Sequence, residues 1–428
     1  MHLLHNTLRD YAWGSRTAIA DLLGRTPSGD PEAELWIGAH PGSPSVLAGG
    51  SDPDDGDPGM TLEELIAVDP EGMLGPESVE AFGPRLPFLL KVLAAAGPLS
   101  LQVHPTLEQA RAGFAAEEAA RVDRGAPHRN YRDDNHKPEM VFALTAFEAL
   151  SGFRSPGSAA VLFEELTALL TAEEYSEAAE VTEQVAELLR TPDEAEALRT
   201  AFARLIAGGE QVRGCVDAAA AAVRASGTDD RDLLTVAQLA AEYPSDPGVL
   251  ISLMLNRVSL EPGEALYLAA GNVHAYLKGL AIEVMASSDN VLRGGLTPKH
   301  VDVSELLRTV VFAAVGVPRL AAEESELGQE VYRPPFAEFQ LQRIDARPGG
   351  EPVPVAQSGP AVVLCVSGSL TLDSPRGDLV MHRGDSAFVP AAEAPAIAHP
   401  GPEGALAFAV TTGLAVHRIE ATDAGVHA

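Results

Sequence analysis

The chain changes character twice along its 428 residues, and these two changes constrain its fold more than any other feature. Up to about residue 154, short apolar runs such as LPFLLKVLAAA (86–96) and LSLQVH (99–104) are separated by proline and glycine, the punctuation of strands and turns. Residues 30–150 therefore read as mainly β, with one helix at TLEELIAV (61–68). Before that helix, the acidic stretch GGSDPDDGDPGM (49–60) reads as a mobile surface loop. From Ser155 to about Tyr243 the residues are rich in Ala, Glu and Leu, and Leu162, Leu166 and Leu169/Leu170 recur at helical spacing. This spacing predicts three to five helices. Thr171 to Glu174 and Thr191 to Glu194 read as capping boxes, the second with Pro192 at the first helical position and Gly208-Gly209 at the far end. From Val249 the strand signature returns, and the tail alternates apolar and polar residues in FAEFQLQRI and GDLVMHRGDSAFVP. The expected organisation is a β portion over 1–154, a helical insert over 155–248, a second β portion over 249–320 and a C-terminal β domain over 321–428.

Charge narrows the partners. Thirty basic and 61 acidic residues leave a net charge of −31, which argues against general binding to nucleic acid or to an anionic membrane. An anionic substrate fits only if the few cations gather in one place. Lysine is scarce: Lys91, Lys137, Lys278 and Lys299 are the only four. The two cysteines, Cys215 and Cys365, lack metal-site spacing, so a reducing compartment is expected. The N-terminus lacks the pattern of a signal peptide, and no apolar run approaches the roughly 18 residues of a membrane span. A cytoplasmic location is the expectation.

Four short stretches are candidates to carry chemistry. In GPLSLQVHP (97–105), Gln102 and His104 are two apart, so a strand aims both at one face. In NHKPEM (135–140), Lys137 and Glu139 share a face in the same way. They form either a plain ion pair or part of a site, and the apolar run after Glu139 requires its carboxylate to find a partner or a metal. In EPGEALYLAAGNVHAY (261–276), glycines at 263 and 271 precede His274. This stretch resembles the second cupin motif, with Ala269 where proline is usual. GPLSLQVHP then resembles a degenerate first motif, with Glu139 as its displaced glutamate. Two imidazoles, a carboxylate and an amide oxygen suit Zn²⁺, and also Mn²⁺ or Fe²⁺. Downstream, IEVMASSDNVLRGGLTPKHVDV (282–303) holds Glu283, Asp289, Arg293 and Lys299. It reads either as a solvated loop or as a cluster that recognises a sugar phosphate.

Taken with YAWG (11–14), AELWIGAHPGSPS (33–45) and AGNVHAYLKG (270–279), these motifs resemble the type I mannose-6-phosphate isomerase family over about the first three quarters of the chain. The resemblance implies a mainly β fold of two cupin, or jelly-roll, domains plus an α-helical domain. It implies an aldose–ketose isomerase acting on a small-molecule sugar phosphate, and one Zn²⁺ per chain on Gln102, His104, Glu139 and His274. It further implies active-site roles for Arg293, Lys137, Glu283, Asp289, Tyr276 and Lys299, the last two as substrate contacts, and substrate contacts from Ser100 and Lys91. His136, beside Lys137, is a further acid–base candidate, and Trp13 in YAWG a further substrate contact. A zinc-bound Glu139 would leave Lys137 unpaired on the same face. Which of Lys137, Glu283, Asp289 and His136 moves the proton stays open at this level. The tail keeps a cupin-like turn, Gly384 to Pro390, with no histidine at the ligand position. A monomer or small homo-oligomer is expected.

Overall fold

The computed structural model describes residues 1–48, 59–325 and 327–414. Most of the acidic stretch expected to form a surface loop, residues 49–58, lies outside these. Two sheets carry the fold, of eleven and ten strands among the described residues. The strand His274–Ala286 organises the first. Its opening residues pair with Gln102–Val103 and Phe147–Phe153. From Gly279 it pairs with Phe88–Ala95, and from Ala281 also with Glu139–Ala143. The change of partner coincides with a register shift between Tyr276 and Lys278. Gly279 has a φ of +125°, and a Cβ there would lie 2.7 Å from the Ala146 carbonyl oxygen. Only glycine tolerates that bend. Phe88–Ala95 is buried along its whole length, which explains its unbroken apolar run.

Helices are more frequent in 30–150 than its β reading allows. Leu62–Val68 is present as expected, but Pro70–Leu74, Pro76–Phe82 and Leu107–Ala119 are helical too. Leu107–Ala119 starts from a capping box between Thr106 and Gln109 and buries only Ala110. A helix with so little buried surface leaves no apolar stripe to read.

The insert contains five helices, Pro156–Ala172, Ser176–Leu189, Glu194–Ile206, Glu210–Ser226 and Arg231–Glu242, followed by the short Gly248–Ile251. Neither expected capping box forms. Thr171 lies inside the first of these helices, its hydroxyl donating to the Thr167 carbonyl at 2.8 Å. The helix from Glu194 is capped by Asp193, which accepts from Glu196 N at 2.8 Å, so Pro192 stays outside it. That choice puts a carboxylate at the positive end of the helix. The helices share one core with Val103, Phe153, Ala275 and Leu292. They thus brace the edge of the first sheet that carries Gln102, His274 and Arg293.

The second sheet is built from strands between Glu323 and Thr411, joined at one edge by His2–His5 and Val46–Leu47 from the start of the chain. The two sheets share a core in which Phe142 meets Phe408 at 5.1 Å and Tyr332 at 5.3 Å. No helix among the described residues is long and apolar enough to cross a membrane.

Candidate active site

Strand pairing brings the separated motifs together. Glu139 and His274 each open a strand, and His104 follows directly after Gln102–Val103. Gln102 is the cross-strand partner of His274 on one side and of Arg293 on the other. Ligand atoms of His104, Glu139 and His274 all lie within 4.8 Å of one another, and all three residues are buried.

The hydrogen-bond pattern sets the imidazole tautomers. His104 Nδ1 is 2.8 Å from the Asn290 carbonyl oxygen, and His274 Nδ1 is 3.1 Å from that of Asn272. A carbonyl oxygen only accepts, so each Nδ1 carries the proton and each Nε2 presents a lone pair. His104 Nε2 has no hydrogen-bond partner and faces Glu139 Oε1 at 3.3 Å; His274 Nε2 is 3.4 Å from Oε2. Burial pushes His104 down to about 4, so it is neutral at neutral pH. Lone pairs converging on a carboxylate in a buried site call for a cation between them. The Gln102 amide donates to Ser100 Oγ at 3.4 Å, and its oxygen accepts no hydrogen bond among the described residues. Two imidazoles, one carboxylate and one free amide oxygen fit zinc.

Lys137 departs from expectation. It shares a face with Glu139 as the spacing requires, but its ammonium sits 2.8 Å from Glu139 Oε1. The lysine is therefore ion-paired rather than independent, because both groups are buried and each supplies the other's countercharge. Burial acts to raise the Glu139 pKa, yet the Lys137 ammonium outweighs it and holds the carboxyl well below the usual range.

A second charged set adjoins the first. Lys91 and Glu283 are cross-strand partners with Nζ 3.0 Å from Oε2, and Glu34 Oε2 is 3.8 Å from the same ammonium. Burial alone would lower Lys91, but Glu283 and Glu34 raise it above the ordinary lysine value. Burial raises Glu283 despite Lys91. The Tyr276 hydroxyl donates to Glu139 Oε2 at 3.4 Å, and burial followed by Glu139 and Glu283 pushes the phenol well above its usual value.

A cavity of about 910 Å³ opens beside both sets. Trp13, Lys91, Ser100, Gln102, Lys137, Asp289, Arg293 and Lys299 line it. His104, Glu139, His274, Tyr276 and Glu283 form the buried layer that these lining residues touch. His136 is not in this group. Its Nε2 is 2.6 Å from Glu338 Oε1, beside the second sheet, because successive residues in an extended segment face opposite ways. Lys278 is exposed elsewhere.

Glu34, Trp36 and Arg132 are among the lining residues that the sequence reading did not single out as site residues. Glu34 and Trp36 are two apart on one strand, and Trp36 is the cross-strand partner of Lys91. Their shared face was legible from the strand period in AELWIGAH. Arg132 lies just before NHKPEM and carries no sequence signal beyond its charge.

The comparisons with known proteins agree with this geometry. Residues 1–156 match the family model described as phosphomannose isomerase type I, catalytic domain. The mannose-6-phosphate isomerase of Escherichia coli (strain K12) is 40% identical over 400 residues, spanning 92% of this chain and 96% of the relative. The apo form of the Salmonella typhimurium enzyme superposes with a TM-score of 0.82 at 37% identity, covering 96% of this chain and 98% of that one. A mannose 6-phosphate isomerase solved in a holo, zinc-bound form gives a TM-score of 0.82 at 37% identity over 95% of this chain and 98% of its own. With near-complete coverage in both directions and an intact cluster at the cavity, the chain belongs to the type I mannose-6-phosphate isomerase family of enzymes.

Proposed function

We propose that the chain interconverts D-mannose 6-phosphate and D-fructose 6-phosphate by moving a proton between C1 and C2 through a cis-enediol. One zinc ion would be held by Gln102, His104, Glu139 and His274, within a first β domain of cupin type. The observation that carries the proposal is a separation of charge in the cavity. Arg132, Arg293 and Lys299 sit together with no ion-pair partner among the described residues. Burial and then Arg132 lower Arg293; burial, Arg293 and Arg132 lower Lys299. In a chain of net charge −31, three mutually repelling cations beside a histidine–carboxylate cluster are what a dianionic phosphate on a metal-dependent substrate would require.

When bound, zinc supplies a Lewis acid that polarises a substrate oxygen. The remaining work falls to side chains. Lys137, which lines the cavity, and Glu283, whose carboxyl pKa burial raises, are the groups assigned to proton transfer. Lys91 keeps Glu283 in place. The Arg132, Arg293 and Lys299 cluster holds the phosphate and so fixes which carbon meets the proton-transfer groups. Trp13 and Trp36 shape the wall.

A coupled assay converting mannose 6-phosphate to fructose 6-phosphate tests the reading directly. Chelator treatment should abolish turnover and added zinc should restore it. Full activity in zinc-free protein would refute the metal assignment. For the phosphate cluster, Arg132→Ala should raise KM roughly tenfold, as loss of a charged hydrogen bond worth about 1.5 kcal/mol implies, with kcat changed much less. It should also weaken inhibition by inorganic phosphate. Unchanged values of both would remove Arg132 from the phosphate site.

A further inference from the structure

Asn290 lies in the stretch SSDNVLRGG, where its sequence context suggests only a turn. Yet it is fully buried, and every polar atom of the residue is used. Its Oδ1 accepts from Arg132 N at 2.7 Å and Asp133 N at 3.3 Å. Its Nδ2 donates to the carbonyl oxygens of Asp133 and Asn135, both at 2.8 Å. Its own carbonyl oxygen accepts from His104 Nδ1 at 2.8 Å. Ser288 Oγ completes the arrangement: it accepts from Asn290 N at 3.2 Å and reaches Asp133 Oδ1 at 2.8 Å and the Asn135 carbonyl at 3.1 Å.

These bonds end on two parts of the candidate site, His104 and the segment 132–135. The His104 bond fixes the tautomer that leaves Nε2 facing Glu139. The bonds to 132–135 clamp an irregular segment that has no strand or helix ladder of its own and leads directly into Lys137 and Glu139. That segment begins with Arg132, at the cationic end of the cavity. We propose that Asn290 is a positioning residue that locks the metal ligand His104, the proton-transfer residue Lys137 and the phosphate-side Arg132 into one geometry. An asparagine suits the task because its amide offers an acceptor and a double donor on opposite sides. A buried network satisfied at every atom also holds its members rigidly.

The inference rests on the proposed zinc centre, so its test must separate the two. Zinc affinity of the metal-free full chain is measured by competition with a chromogenic chelator, alongside kcat, KM and melting temperature. Asn290→Asp is nearly isosteric, but it turns a donor into a carboxylate oxygen facing the carbonyls of Asp133 and Asn135. It should weaken zinc binding about 10- to 100-fold, the usual effect of losing an outer-shell partner. At saturating zinc a kcat deficit should persist, because the Lys137 segment is loosened as well. Ser288→Ala removes a single hydroxyl from the same network and should show the same pattern at a few-fold. A merely structural role would lower the melting temperature but leave zinc affinity and kcat of the folded protein alone. Parent-like zinc affinity and kcat in Ser288→Ala, with Asn290→Asp either matching the parent or failing to fold, would overturn the proposal. A parent chain that binds no zinc would instead overturn the metal assignment, and this inference with it.

Discussion

Lys137→Arg should lower kcat by roughly 100- to 10,000-fold, the range that a lost general acid–base group accounts for, with zinc still bound. The argument comes from chemistry and position together. Both side chains carry a positive charge, so the ion pair with Glu139 at 2.8 Å can be kept. Only lysine can release a proton under working conditions, because guanidinium stays charged at every accessible pH. Position adds to this, since Lys137 lines the cavity while Glu139 lies behind it. Steady-state kinetics on the variant, with zinc content measured in parallel, gives the answer. A turnover rate near that of the parent would reduce Lys137 to a fixed charge and transfer the proton-transfer role to Glu283.

Glu139→Gln should act on two properties at once. In the zinc-loaded enzyme it removes the only carboxylate among the proposed ligands, and zinc affinity should fall by more than the roughly 10- to 100-fold typical of outer-shell changes. Activity should fall with it. In the metal-free protein the same substitution leaves the buried Lys137 ammonium without its countercharge. Breaking a buried pair from one side costs about 3 kcal/mol or more, which denaturant unfolding can read. The double variant Glu139→Gln/Lys137→Met removes both charges and should recover much of that stability while staying inactive. If Glu139→Gln is as stable as the parent without metal, the Lys137–Glu139 pair contributes nothing to folding.

Much of the architecture and the site was readable beforehand, for reasons that differ by residue. The five-helix insert announces itself because its helices bury apolar faces at 3.6-residue spacing, as Leu162, Leu166 and Leu170 do. The helix Leu107–Ala119 does not, because it buries almost nothing. Gln102, His104, Glu139 and His274 are legible because each sits in a short motif whose strand period dictates a shared face. Arg132 is not, because its place depends on Asn290, which lies far along the chain. His136 shows the opposite failure. Its neighbours Lys137 and Glu139 meet beside the cavity, yet it turns to Glu338 and the second sheet.

Local sequence thus determined which residues could share a face, where helices replace strands, and that a few cations in an acidic chain must gather to meet an anion. Those properties follow from backbone periodicity and charge, which act over a few residues or over the whole composition. Tertiary structure alone decided which faces meet. It paired Gln102 with both His274 and Arg293, set the His104 tautomer through a carbonyl 186 residues away, and closed Lys137 onto Glu139. Each outcome depends on long-range strand pairing and on burial, because only the removal of water makes a nearby countercharge or carbonyl decisive for a charged or polar group.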